Sequence, residues 1–483
     1  MNLMLDRIPY TDTFFSELNP HSIRCIALLR GHAVPDSRIF TYCELGCGTG
    51  HSLLVYAAAN PEAKFIGVDF NQQHILYAEQ RAETLGITNC TFIHADITTW
   101  HNPTQCDYIV MHGVYAWVHQ EVRNAIHRII EQALSPNGLV LVSYNAYPGW
   151  HVYEPLRMMM REYSLELSED PFYNAEQGIG FLRWMHERQS PYMKLVPMVE
   201  SFIEELEKHD PRYIIHEYYA DHWTPLLFSQ MNQYMQGSGM SFGGQIPFFL
   251  NDGNICLPKG FEEFSELKND ETRFEAFKDL IRNTMFRWDV YASNRSTQTD
   301  PFDAMDFGNV QQDSDPFALI ELPGCTPFKL NSEFHSTILN AISDGNTTVS
   351  SLCSALDTGA EQVKDAVYTL LMAEQIKPIP HTMESQKGNV DFRSILLRFL
   401  EEALLSSEHV IPSLFSGSGI HINQDIALML IATLKHSDDP IGWIAEWMEV
   451  HGYGDYVDCH QKAEHAYHSF TKSLPFWKYM QIL

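Results

Sequence analysis

The stretch CELGCGTGHS, residues 43–52, constrains this chain more than any other. An apolar run before it, RIFTYCEL, reads as a buried strand, and SLLVYAAA after it reads as a helix. Between them Gly46, Gly48 and Gly50 alternate, so the backbone can turn sharply and approach a ligand closely. A nicotinamide dinucleotide loop requires G-x-G-x-x-G and would place its third glycine at 51, where this chain has His51.

The pattern is instead E-x-G-x-G-x-G, which resembles the first motif of S-adenosylmethionine-dependent methyltransferases. That ligand has no pyrophosphate, so Glu44 repels nothing and can accept a hydrogen bond from its amino group. From Ile39 to Tyr147 strands and helices alternate, as a parallel sheet with helical crossovers requires. AKFIGVDF ends in Asp69, nineteen residues after Gly50, placed to accept both ribose hydroxyls. CTFIHADI carries Asp96 and Ile97 at its end, where this fold reads adenine. Strand-end aspartates also cap turns, but four features in order are hard to assign to chance.

After Trp150 the alternation stops, and the sequence reads as mostly helical as far as FKDLIRNTMFRWDVYAS. Residues 294–317 are polar, acidic and weakly patterned, as in a linker or long loop. TTVSSLCSAL and EQVKDAVYTLLMAEQIKPIP then have the spacing of helix, turn, helix and short strand, similar to a winged-helix module. The expected divisions are 1–165 for cofactor binding, 166–293 for a helical regulatory domain, 294–317 for the linker, 318–385 for the winged-helix-like module and 386–483 for a helical C-terminal region. The fold class is α/β, a class I methyltransferase Rossmann-like domain followed by these largely helical parts.

VMHGVYAWV (110–118) and SYNAYPGW (143–150) end the fourth and fifth strands. With IIHEYYADHWTPLLFSQM, GSGMSFGGQ and RNTMFRWDVY, they closely resemble signatures of methyltransferases that carry a methyltransferase regulatory domain. The best-known members are the rickettsial-type protein lysine methyltransferases. The resemblance spans about residues 10–291 and implies a cofactor domain, a regulatory domain and transfer of methyl groups to protein lysines. HSLLVYAAA stands where the family usually has an Asn-Leu-Ile-Pro-like segment, and NTMFRW replaces an arginine-richer motif. These departures touch the substrate rather than the cofactor.

Methyl transfer from a sulfonium needs positioning and exclusion of water more than a nucleophilic residue. A lysine acceptor must also lose its proton, at a cost of roughly 4.6 kcal/mol at pH 7. Aromatic faces and an amide can hold the head group meanwhile. Tyr144 and Asn145 are therefore the first candidates to line the methyl-transfer channel. His112 and Tyr115 follow, His112 to help remove a proton or to contact the cofactor's amino-acid end, and Tyr147, Trp117 and Trp150 come third. Tyr10 is a candidate to fold over the cofactor. His112-Gly113 stands where methyltransferases of exocyclic base amines usually carry Asp/Asn-Pro-Pro-Tyr, which argues against adenine N6 methylation. Cys459, His460, His465 and His468 match no strong zinc spacing, so no metal is expected.

A net charge of -29 repels nucleic acid and suits a lysine-bearing protein substrate. Nine cysteines without a CxxC pair, no export signal and no apolar run of 18 residues suggest a cytoplasmic protein with no membrane partner. A homodimer is compatible with all of this. The alternatives are a small-molecule N- or O-methyltransferase and a non-catalytic scaffold that holds the cofactor.

Overall fold

The computed structural model describes residues 13–294, 300–309, 319–330, 333–381, 392–405 and 410–483. Seven strands form the central sheet: β1 (Thr41–Leu45), β2 (Lys64–Asp69), β3 (Cys90–His94), β4 (Cys106–Met111), β5 (Leu134–Asn145), β6 (Ser241–Ile246) and β7 (Phe286–Ala292). Their order is β3-β2-β1-β4-β5-β7-β6, with β1 to β5 parallel and β7 antiparallel to both of its neighbours. This is the class I methyltransferase arrangement. Leu139 to Val142 of β5 are fully buried, as befits a parallel strand covered on both faces.

The crossovers are the helices α2 (His51–Ala59), α3 (Gln72–Leu85) and α4 (Gln120–Ala133), and α1 (Pro20–Leu29) precedes β1. Helix α3 begins where the Asn71 side chain accepts from the Gln73 amide, and it stops at Gly86, whose φ of 74° a β-carbon would disfavour. Helix α4 buries Ala125, Ile126, Ile129, Ile130 and Ala133 against the sheet, one stripe of an amphipathic helix.

Helices α5 (Glu154–Ser164), α6 (Pro171–Glu187), α7 (Val199–Lys208) and α8 (Pro211–Tyr219) leave the sheet after β5 and pack around their own core of Trp150, Leu156, Met160, Leu182, Ile203 and Ile215. The chain then returns through α9 (Phe228–Gly237), β6, α10 (Glu271–Arg282) and β7. The segment read as ending in helix thus supplies two strands of the sheet. The reason is chemical: β7 buries Arg287 and Asp289, charges that hide a strand pattern, and β6 is SFGGQI, with little side chain to read.

Within the stretch expected as a linker, Asp306–Gly308 is a strand paired with Lys377–Ile379, and Phe307 is fully buried. Helices Val349–Leu356 and Ala360–Met372 precede that pairing, in the anticipated order. The C-terminal region covers the α1–α3 face of the sheet. There Asn60 donates to the Gly417 carbonyl (2.9 Å) and Arg81 pairs with Glu402 (2.7 Å). Among the described residues no helix is long and apolar enough to cross a membrane.

Candidate active site

The carboxyl ends of β1, β2, β4 and β5 meet at one edge, where open α/β sheets bind ligands. At that edge Gly46, Gly48 and Gly50 all have left-handed backbones, with φ of 75°, 53° and 71°. Gly50 lets the helix start directly beneath Phe92, since a β-carbon there would sit 2.5 Å from its ring. Gly48 faces open space, so its main chain forms the floor of a cradle that a side chain would partly fill. Asp69 Oδ2 accepts from the Gly48 amide (2.9 Å) and Oδ1 from the Asn71 amide (2.8 Å), which fixes the acid against the loop. Each oxygen keeps a lone pair for a further donor.

Glu44 is 6% exposed, and its carboxyl makes no hydrogen bond to any described residue. Burial pushes its carboxyl up to about 8, and the nearby Asp69 charge adds to the rise. A buried acid without a partner, an anchored second acid and an open main-chain cradle fit a ligand that brings an amino group and a ribose diol. Asp96 is exposed just beyond β3, and its Oδ1 accepts from the Thr98 amide (2.8 Å) and hydroxyl (2.7 Å). Ile97 is half-buried beside it, and its carbonyl accepts from Arg128. Tyr10 lies outside the described residues.

Next to this cradle, β4, β5 and β7 bring a second group together. Ser143 pairs across the sheet with Trp288, and Asn145 with Phe286. Ser143 Oγ accepts from the Gly113 amide (3.0 Å) and shares a hydrogen bond with His112 Nδ1 (2.8 Å). The His112 ring stacks on Trp288 at 4.3 Å and 10°, lies 3.9 Å from Phe15 and 6.0 Å from Phe286. Burial holds this imidazole down at about 3, so it stays neutral at physiological pH. Asn145 is 2% exposed, and its Oδ1 has no hydrogen-bond partner. A buried amide oxygen left unpaired costs about 1–3 kcal/mol, so its presence here calls for a donor from outside the chain.

Tyr144 does not share this box with Asn145, contrary to the sequence reading. Successive residues of a strand point to opposite faces, and Tyr144 is buried behind the sheet with its hydroxyl donating to Asp289 Oδ2 (2.6 Å). Tyr115 lies in the same rear core, its hydroxyl hydrogen-bonded to His127 Nε2 (2.9 Å), and so is also removed from the strand-end box. Tyr147 is half-buried and donates to Glu154 Oε2 (2.8 Å). Trp150 packs in the helical core 5.0 Å from Trp223, and half-buried Trp117 lies 6.4 Å from the same ring.

Tyr144 joins a fully buried ionic cluster that sequence reading missed. Arg287 reaches Asp289 (2.9 Å), Asp279 (2.6 Å) and Glu275 (2.8 Å), and Glu275 also accepts from Lys278 (2.8 Å). Three carboxylates face two cations, and burial raises the Asp289 carboxyl to about 6. Phe15, Phe286 and Trp288 were missed as well. The alternation FRWDVYA, with Phe286 and Trp288 on one face and Arg287 and Asp289 on the other, signalled the two β7 rings, and nothing local signalled Phe15.

Comparison with known proteins agrees with this geometry. Residues 37–233 match a family described as a methyltransferase domain, and residues 210–293 one described as a predicted methyltransferase regulatory domain. The second match therefore includes β6 and β7, which complete the sheet. An uncharacterized protein of Synechocystis sp. is 27% identical over 452 residues, 90% of this chain and 88% of that protein. An uncharacterized protein of Rickettsia prowazekii is 28% identical over 300 residues, 60% of this chain and 52% of that one. PKMT2 of Rickettsia typhi, solved in complex with AdoHcy, has the same fold, with a TM-score of 0.71 over 98% of this chain and 99% of its own at 21% identity. Taken with the glycine cradle and its two acids, these matches show that the chain is an S-adenosylmethionine-dependent methyltransferase carrying a methyltransferase regulatory domain.

Proposed function

We propose that the chain methylates an amine, the ε-amino group of a protein lysine, at the box formed by Asn145, His112, Phe286 and Trp288. The observation that carries this reading is the unpartnered Asn145 Oδ1, buried at a strand end beside the cofactor cradle and among aromatic rings. An amine is the acceptor that supplies a hydrogen-bond donor to that oxygen and a cationic form that aromatic faces attract. S-adenosylmethionine supplies a methyl group on a positively charged sulfur, open to in-line displacement. Glu44 is assigned to its amino group, Asp69 to its ribose hydroxyls, and Asp96 with Ile97 to its adenine.

His112 serves this acceptor as a wall rather than as a base. With its imidazole held at about 3, it adds no positive charge to oppose an incoming ammonium, and it is too weak to deprotonate one. Desolvation in the box lowers the amine's own pKa, and the released proton goes to solvent along the open edge. A protein acceptor is favoured by the formal charge of -29, which draws a lysine-rich partner toward the enzyme. The test is methyl transfer from S-adenosylmethionine to a lysine-containing peptide, read by mass, with wild type and Asn145→Leu. Transfer to the ε-nitrogen that the substitution removes supports the reading. Equal transfer by the variant would mean the amide does not hold the acceptor.

A further inference from the structure

The helices α5 and α6 present a surface that neither the cofactor nor the strand-end box uses. Of the 24 large hydrophobic side chains exposed among the described residues, nine fall between 158 and 198, far more than an even spread over the chain would give. Three aromatic rings there form a ladder. Tyr163 stacks on Phe181 at 4.2 Å and 5°, and Phe181 is followed by Trp184 at 6.0 Å and 14°. Tyr163 is 46% exposed and Trp184 51%. The Arg188 guanidinium lies 4.7 Å over Trp184, so the chain itself already places a cation on the end of the ladder.

Between the two helices the charge is acidic. From Glu162 to Glu176 there are five carboxylates and no lysine or arginine: Glu162, Glu166, Glu169, Asp170 and Glu176. All five are exposed, and none has an ion-pair partner among the described residues. Alongside, a cavity of about 580 Å³ runs down α5, with Pro155, Arg157, Met158, Met159, Arg161, Glu162 and Leu165 in its walls. The guanidiniums of Arg157 and Arg161 in these walls both donate to the Ala220 carbonyl at the end of α8, and Arg183 on α6 pairs with Glu207.

We propose that this face docks an extended, lysine-bearing polypeptide and delivers one of its lysines to the strand-end box. The proposal rests on the amine reading above and adds how the substrate is held. Glu154, the first residue of α5, accepts from Tyr147 just beyond β5, so the helix starts at the active edge. Tyr163 lies nine residues along, about 14 Å at 1.5 Å per residue. An extended chain covers that distance in about four residues, so the methylated lysine would sit about four residues from the anchored segment.

The experiment uses the full chain and a fluorescein-labelled, unstructured peptide that repeats Lys-Ser-Val. Two variants are compared with wild type, Tyr163→Ala with Trp184→Ala, and Glu162→Gln with Glu166→Gln and Glu169→Gln. These side chains are exposed and lie outside the cofactor cradle, so AdoHcy affinity is the control for an intact fold. The expected result is peptide affinity and kcat/KM about tenfold lower in both variants, with unchanged AdoHcy affinity and unchanged transfer to Nα-acetyl-lysine amide. Wild-type peptide affinity and kcat/KM in both variants overturns the docking face and leaves the amine reading standing. A peptide that binds in a ladder-dependent way yet is never methylated leaves the face standing and overturns the lysine reading.

Discussion

Ligand binding at the loop acid is coupled to the release of a proton. Glu44 is buried, its carboxyl makes no hydrogen bond to the described residues, and it is held up to about 8 by that burial and by Asp69. At pH 7 only about 9% of the ligand-free protein has this carboxylate ionised, and at pH 6 about 1%. If the ligand's ammonium binds the ionised form, reaching that form costs ~1.4 kcal/mol at pH 7 and about twice that at pH 6. Binding of AdoHcy should therefore release about 0.9 proton per site at pH 7, and affinity should fall about tenfold from pH 7 to pH 6. Over this range the ligand's own amino group stays largely protonated, so the slope belongs to the protein. Calorimetry in buffers of different ionisation enthalpy measures the released proton directly. Glu44→Gln should bind without proton release and without the slope. The same group gives stability a definite sign: its raised value favours the folded, ligand-free chain below the ordinary carboxylate range, and that contribution is lost as pH rises through about 8. Proton release that is zero in wild type, or unchanged in Glu44→Gln, would refute the assignment of this acid.

Asn145→Leu should lower the methyl-transfer rate by about 10² or more while leaving thermal stability equal or higher, because it removes an unpaired buried oxygen; a clear drop in melting temperature would show that the amide is structural. Arg287→Met leaves three buried carboxylates facing only Lys278 and should cost about 3–5 kcal/mol in denaturant unfolding, whereas a loss below ~1 kcal/mol would mean that the cluster relaxes freely. Gly50→Ala forces a β-carbon to 2.5 Å from Phe92 at a φ of 71°, so AdoHcy affinity should fall at least about tenfold, and wild-type affinity would contradict the loop geometry.

The parts of this fold that could be read from sequence are those where burial and chemistry use different residues. The central parts of β4 and β5, Tyr108–Met111 and Leu139–Val142, are buried on both faces and read as short apolar runs, and the alternating glycines between β1 and α2 stand out by their spacing. Strand β7 has the opposite character. Its inward positions are Arg287 and Asp289, stable there only because Glu275, Asp279 and Lys278 arrive from α10, and no local pattern announces such a partnership. The short strand around Phe307 was hidden in the same way, with Asp306 before one buried ring and Gly308 and Asn309 after it.

The active edge shows both sides of that limit. Asn145 was legible as a strand-end polar residue in need of a partner, and the structure leaves its oxygen without one. Tyr144, its neighbour, was drawn into the same site although strand alternation sends it to the other face, where it binds Asp289. Phe15, Phe286 and Trp288 come to the box from segments more than a hundred residues away from β5. Only the return of the regulatory segment to the sheet as β7 brings Phe286 and Trp288 beside His112 and Asn145.

The most direct measurement is transfer of isotope-labelled methyl from S-adenosylmethionine by the full chain, offered in parallel a lysine-containing protein mixture and a small-metabolite fraction. Label on lysine ε-nitrogens of the protein fraction, absent with Asn145→Leu, is the predicted result. Label found only in the metabolite fraction, or equal labelling by the variant, would contradict an amine-holding box that serves a protein substrate.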